Sequence, residues 1–184
     1  DKQWNNAMVP GTIHTDLIAI GKIDNPFYRL NEHDVQWVDK KDWIYRTSFE
    51  LTEDVLNKQN SYLEFSGLDT YAKIFLNDTL LANTNNMFRS YDIDVKDFLK
   101  LGTNKLEVLL ESPIKKGIQK HDQLGYSIPV SGNDLAEIGK VEENKRVSVF
   151  NRKAGYHFGW DWGPRLVTSG IWKSVKLKSW DQFK

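Results

Sequence analysis

Hydrophobic and polar residues alternate with a period of two along much of this chain. From Trp43 to Leu51, the residues Trp43, Tyr45, Thr47, Phe49 and Leu51 fall on one face, with Arg46, Ser48 and Glu50 on the other. That pattern marks a half-buried β-strand. Leu63 and Phe65 alternate with Glu64 and Ser66, Gly67-Leu68-Asp69 predicts a turn, and the next strand is expected from Tyr71 to Leu76. Asn77-Asp78 fits a two-residue hairpin loop leading into a strand at Thr79 to Ala82. Met87 to Ile93 reads as a further strand, followed by a short helical turn begun by Asp94 and ended near Gly102. Leu106, Val108 and Leu110 face inward from a strand at Lys105 to Glu111, which Pro113 closes. The pattern resumes at Val147 to Arg152 and breaks over Gly155 to Pro164. It ends with Ile171, Val175 and Leu177 opposed to Ser174, Lys176 and Lys178.

Two stretches depart from this period. Residues 1–40 carry only a turn at Val9-Pro10-Gly11 and a helical pattern from His14 to Ile20, with Thr12 or Thr15 as cap and Gly21 as stop. They read as a wrapping segment. Residues 112–146 are polar and punctuated by glycine, and read as a long excursion, which in a compact domain is usually functional, mobile or a misread element. Seven or eight short strands with little helix predict an all-β chain: an antiparallel β-sandwich of jelly-roll type. Its strands would span 43–111, with closing strands over 147–180, and the 184 residues make one domain.

Charge and composition remove several function classes. Lys and Arg number 25 against 25 Asp and Glu, so nothing in the balance attracts nucleic acid or an anionic membrane. Lys115-Lys116 and Lys145-Arg146 are short basic pairs far in sequence from the tryptophans, and read as solvated faces. The longest aliphatic run, Leu17 to Ile20, is far below the roughly 20 residues of a membrane-spanning helix. Zero cysteines exclude disulfides, thiol nucleophiles and cysteine metal sites, and fit cytosol and periplasm alike. His14-Thr15-Asp16 and His121-Asp122 lack the ligand spacing of a metal site, and no cofactor motif or serine nucleophile elbow occurs. Asn77-Asp78-Thr79 is formally a glycosylation sequon, but it coincides with the expected hairpin turn.

What stands out is aromatic content: 7 Trp, 7 Tyr and 9 Phe, with Trp37/Trp43 and Trp160/Trp162 in two short stretches. In Gly155-Tyr156-His157-Phe158-Gly159-Trp160-Asp161-Trp162-Gly163-Pro164, two indoles flank one carboxylate where the strand pattern stops. A flat ring can stack on a pyranose while an ionised carboxylate accepts hydrogen bonds from vicinal hydroxyls. A second reading is open on the same residues: either Trp plugs the core, and Asp161 caps a turn or pairs with Arg152 or Arg165.

The string Phe158-Gly159-Trp160-Asp161-Trp162-Gly163-Pro164, followed by Ser169-Gly170-Ile171-Trp172-Lys173, resembles the end of the N-terminal domain of β-mannosidases. These belong to glycoside hydrolase family 2, the β-galactosidase/β-glucuronidase superfamily. Other stretches agree in order: Val9-Pro10-Gly11-Thr12 with His14 and Leu17, Asn25 to Glu32, Trp37-Val38, and Trp43 to Arg46. So do Gly67 to Ala72, Phe75 to Asn77, and Asn86 to Tyr91, so the likeness covers nearly the whole chain.

The resemblance implies a galactose-binding-like jelly roll cut from a larger enzyme. Relatives carry about one more strand ahead of the position of Trp4, either trimmed here or leaving an edge open. They continue into immunoglobulin-like domains and a (β/α)₈ barrel that supplies the acid/base and nucleophile Glu of a retaining mechanism. On this reading no catalytic residue lies in the chain, and the partner is a terminal β-mannoside or manno-oligosaccharide. The resemblance assigns substrate recognition to Asp161, with Trp160 and Trp162 as wall or support. Asn151 and Arg152 would brace that loop, whereas Val9 to Thr12 and Asn31-Glu32 would anchor the wrapping segment. An autonomous carbohydrate-binding module is the competing expectation.

Overall fold

The computed structural model describes residues 4–182. Seven strands among them form two antiparallel sheets. The strands are β1 (Trp43–Leu51), β2 (Asn60–Phe65), β3 (Tyr71–Leu76), β4 (Thr79–Asn85), β5 (Tyr91–Asp94), β6 (Gly102–Glu111) and β7 (Val175–Trp180). One sheet runs β1-β6-β3-β4 and the other β5-β2-β7. Side chains from both meet in one core, including Leu63 and Phe65 of β2, Ile74 and Leu76 of β3, and Leu106, Val108 and Leu110 of β6. The alternation in the sequence is the alternation in the sandwich: along β6, Asn104, Leu106, Val108 and Leu110 are buried and their neighbours are not. Register is continuous from Trp43↔Leu110 to Leu51↔Gly102, which keeps the apolar set of β1 on the inner face.

The hairpin between β3 and β4 turns on Asn77 and Asp78, both at positive φ (49° and 68°). This is the left-handed pair that a two-residue loop between twisted strands requires. Asn77 is also used by its side chain. Its Nδ2 donates to Phe98 O and Asn104 Oδ1 at 2.9 Å, and its Oδ1 accepts from Lys105 N at 3.0 Å. The sequon therefore serves the fold.

The wrapping segment carries α1 (Ile13–Ala19), capped by Thr12, with Thr15 reciprocating, and ended at Gly21. Its entry is sewn to the end of the chain: Gly11 N donates to Ile171 O at 3.0 Å and Ile13 N to Ser169 O at 2.8 Å. Ile13 and Leu17 join the sandwich core. Asn31 Nδ2 donates to Asn25 O at 3.0 Å, and Glu32 O accepts from Gln36 Nε2 at 2.6 Å, so both residues serve as internal ties of this segment.

Three expectations need correction. After a single helical turn, α2 (Glu53–Leu56), the excursion opens with a full helix, α3 (Pro113–Leu124). Pro113 ends the strand by starting this helix. Ser112 caps it, accepting from Lys115 N at 3.1 Å, and Gly125 (φ 75°) stops it. The excursion then covers a second, smaller core of Ile114, Ala136, Val141, Val147, Phe158 and Val167. The second difference concerns the closing strands. Residues 148–150 form a 3₁₀ turn, with Val147 buried just ahead of it and Val149 exposed within it, so β7 alone closes the sheet. Met87 and Phe88 likewise form a turn, and Arg89 and Ser90 run irregularly into β5.

Candidate functional site

The glycine-rich segment leaves the second core through a 3₁₀ turn, Gly155–Phe158, whose Phe158 is fully buried. Gly159 then bends the chain outward at φ 136°. It lies so close to the excursion that an added Cβ would sit 2.3 Å from Asn133 O. Leu135 N donates to Phe158 O at 2.9 Å, fastening the excursion to the root of the loop. Beyond that root, Trp160 and Gly163 form an isolated antiparallel bridge, so residues 160–163 make a tight projecting turn.

On this turn Trp160 is 43% and Trp162 83% exposed, their rings edge to face at 5.8 Å and 85°. Neither indole plugs the core. Asp161 between them is exposed, and makes no hydrogen bond or ion pair among the described residues. Its carboxylate is therefore available to a ligand. The turn is exposed on its outer side: a groove of about 540 Å³ runs past Asn86, Phe88, Lys120 and Arg152, but Trp160, Asp161 and Trp162 do not line it.

At the roots of the loop lie buried charges, of which Lys153, Asp69 and Asp39 were not singled out in the sequence. Lys153 is buried and donates to both carboxylate oxygens of Asp69, at 2.5 Å to Oδ1, and to Thr168 O and Oγ1 at 2.8 and 3.1 Å. Burial pushes its ammonium down to about 8, with Asp69 pulling the other way. Thr168 Oγ1 donates to Asp69 Oδ2 at 2.7 Å, and stands 3.2 Å from His157 Nδ1. With the hydroxyl proton committed to Asp69, His157 is the donor in that contact, which fixes its tautomer. Burial, and then the Lys153 charge, lower both His157 and His14 to about 4, so both imidazoles are neutral at pH 7. After the loop, Arg165 is completely buried. Its Nη1 donates to Gln36 Oε1 at 2.5 Å and Asp39 Oδ2 at 2.6 Å, so it does not pair with Asp161. Burial raises Asp39 against the pull of Arg165.

Residues 1–173 match the family described as glycosyl hydrolase 2 galactose-binding domain-like. The chain belongs to this family. It is 37% identical over 171 residues to β-mannosidase B of Emericella nidulans, covering 92% of this chain and 19% of that protein. With the β-mannosidase of Capra hircus it shares 34% identity over 176 residues, covering 95% and 19%. The crystal structure of a β-D-mannosidase from Dictyoglomus thermophilum superposes at a TM-score of 0.89, with 46% identity over 98% of this chain and 21% of that one. The exo-chitosanase CsxA of Amycolatopsis orientalis shares the fold at a TM-score of 0.52 and 25% identity, over 57% of this chain and 12% of that one. This galactose-binding-like chain corresponds to the N-terminal part of β-mannosidase-type enzymes and spans about a fifth of the length of the curated relatives it matches.

In this galactose-binding-like domain the remaining sequence candidates direct their hydrogen bonds to residues outside the turn. Asn151 is buried and donates from Nδ2 to Val147 O at 2.8 Å, holding the 3₁₀ turn before the loop. Arg152 has an exposed side chain, and its carbonyl accepts from Met87 N at 3.0 Å. His121, on α3, reaches Asp122 and Ser127 at 3.2 and 3.3 Å. The one legible sign of the buried network was its position: Lys153 and Arg165 are the charged residues flanking 154–164.

Proposed function

We propose that this chain is the non-catalytic N-terminal domain of a β-mannosidase-type glycoside hydrolase, and that residues 160–162 form one wall of the pocket for a terminal β-mannoside. The reaction would be retaining hydrolysis. The two catalytic carboxylates would come from a (β/α)₈ barrel, with immunoglobulin-like domains between, all outside this sequence. The observation that carries the reading is the unpaired Asp161 carboxylate held between two exposed, mutually packed indoles on a projecting turn. Asp161 accepts sugar hydroxyls, and Trp160 and Trp162 supply a ring face or keep the turn in shape. The printed names of the relatives, β-mannosidases from fungi and a ruminant, supply the sugar.

The exposure of the turn on its outer side separates this from an autonomous carbohydrate-binding module. Useful affinity for a small ligand needs convergent groups that bury most of its surface, and a projecting turn offers one side only. The 83% exposure of Trp162 is nevertheless the kind of platform on which a lectin-like site is built. Calorimetric titration with mannose and β-1,4-mannobiose decides between them. No saturation up to tens of millimolar, beyond a Kd near 1 mM or about −4 kcal/mol, is expected. In the complete enzyme, Asp161→Ala should lower kcat/KM by about 100-fold, the scale of one or two charge-assisted hydrogen bonds. Saturable binding by the chain alone, lost in Asp161→Ala, would establish the module; an unchanged kcat/KM in the complete enzyme would end the pocket-wall reading.

A further inference from the structure

We infer that the two buried ion pairs Lys153–Asp69 and Arg165–Asp39 are positioning devices that clamp the two roots of the 154–164 loop and thereby set where Asp161 stands. The inference rests on the pocket-wall reading above and goes beyond it to residues that touch no sugar. Lys153 immediately precedes the loop and Arg165 immediately follows it, and both side chains are wholly out of water. Each reaches a partner from a different part of the chain: Asp69 lies in the turn before β3, and Asp39 in the wrapping segment. Asp69 holds both roots at once. Its carboxylate binds Lys153 on the entry side and Thr168 on the exit side. Its backbone exchanges hydrogen bonds with Gly170 at 2.9 and 3.0 Å. Thr168 in turn accepts from His157, within the turn that leads into Gly159.

Stability alone does not call for charges here. A buried ion pair gives up the hydration of both ions, and apolar side chains of similar volume commonly hold a fold equally well. What the charges add is direction. Lys153 meets four acceptors with its three protons, and Arg165 lies flat against Gly139, where a Cβ would come within 2.3 Å of Cζ. Apolar packing would fill the same volume while leaving the loop roots free to slide. Misplacing a reacting or recognising group by about 1 Å costs on the order of 100-fold in rate.

The test uses the complete enzyme and an aryl β-mannoside, with kcat, KM and thermal midpoint measured for Asp161→Ala, for Lys153→Met with Asp69→Leu, and for all three together. The apolar pair should fold with a lowered thermal midpoint, because the hydroxyls of Thr70 and Thr168 lose their acceptor, and lower kcat/KM by about 100-fold. The loss should fall in the same parameter, kcat or KM, as in Asp161→Ala. The triple variant should be no worse than Asp161→Ala alone, because the clamp acts through that carboxylate. If the apolar pair fails to fold, Thr168→Val carries the same test: it removes the hydroxyl shared by Asp69, Lys153 and His157 and leaves the ion pair. It should cost about ten-fold, again without adding to Asp161→Ala. Wild-type kcat/KM in either folded clamp variant, or losses that add to that of Asp161→Ala, would overturn the inference. If instead Asp161→Ala itself retains full activity, it is the pocket-wall reading that falls, and the clamp falls with it.

Discussion

Arg165 donates to Asp39 at 2.6 Å with both side chains buried, which ties the end of the aromatic loop to the wrapping segment 126 residues earlier. Removing one partner leaves the other charge buried alone. Arg165→Met should therefore destabilise the protein by about 3–5 kcal/mol, whereas Arg165→Met combined with Asp39→Leu should recover most of that. Urea denaturation of the two variants and the parent measures both.

Tyr45 and Asp16 make the matching tie at the other end of that segment. Tyr45 OH donates to Asp16 Oδ2 at 2.6 Å, and Met8 N donates to Oδ1 at 2.9 Å. The phenol is held in protonated form, since burial and the Asp16 carboxylate both oppose its ionisation. Tyr45→Phe removes a hydrogen bond to a charged acceptor and little else. It should cost about 1.5–3 kcal/mol in denaturant unfolding, and should increase amide exchange at residues 8–16 more than in the sheets.

What the sequence made legible follows the periods involved. The strands around Trp43, Tyr71 and Leu106 have one wet and one dry face, so a period of two is written into them, and the Asn77-Asp78 turn follows from backbone sterics. Helix α3 carried its end signals, Ser112, Pro113 and Gly125, but its buried strip is narrow. Besides Pro113 it rests on Ile114 and on Gly117, and Gly117 contributes no apolar side chain because Val147 packs where its Cβ would be. Residues 147–152 misled in the opposite sense, since Val147 and Val149 alternate in sequence while a 3₁₀ turn sends one inward and one outward. In the candidate site, the exposed residues could be read because carbohydrate contact has a local composition. Lys153, Asp69 and Asp39 could not, because their partners lie 84 and 126 residues away in sequence.

Buried imidazoles make stability depend on acid. His14 and His157 sit at about 4 in the folded protein against 6.5 when free, so between these values the unfolded chain binds more protons than the native one. Stability then rises with pH across this window and is lost as pH falls from 6.5 towards 4. The two groups flank the same Lys153 charge, and their combined contribution is on the order of a few kcal/mol. Urea midpoints taken across this range should fall steeply on acidification, and His14→Gln with His157→Gln should flatten that slope.

Asn104 anchors the loop between β5 and β6, and its loss should be felt although no charge is involved. Its amide is fully buried. Nδ2 donates to Lys100 O at 2.7 Å and Gly102 O at 3.0 Å, while Oδ1 accepts from Lys100 N and from Asn77 Nδ2. Truncation to Ala strands these partners away from water, at about 1–3 kcal/mol for each group left unpaired. A total near 3 kcal/mol is expected for Asn104→Ala, since part of the set reaches solvent at the loop surface.

Gly159 offers the sharpest separation between the shape of the aromatic turn and its chemistry. At φ 136°, with Asn133 O and Leu135 in the space of a Cβ, alanine there meets both backbone strain and a collision with the excursion. Gly159→Ala should therefore lose at least about 2 kcal/mol of stability. Asp161→Ala and Trp162→Ala alter exposed side chains that leave nothing buried unpaired, and each should stay within about 0.5 kcal/mol of the parent. Denaturant midpoints for the three variants check the ordering. If Trp162→Ala proved as costly as Gly159→Ala, the indole would be holding the turn together, and its assignment as a sugar-facing wall would have to pass to Trp160.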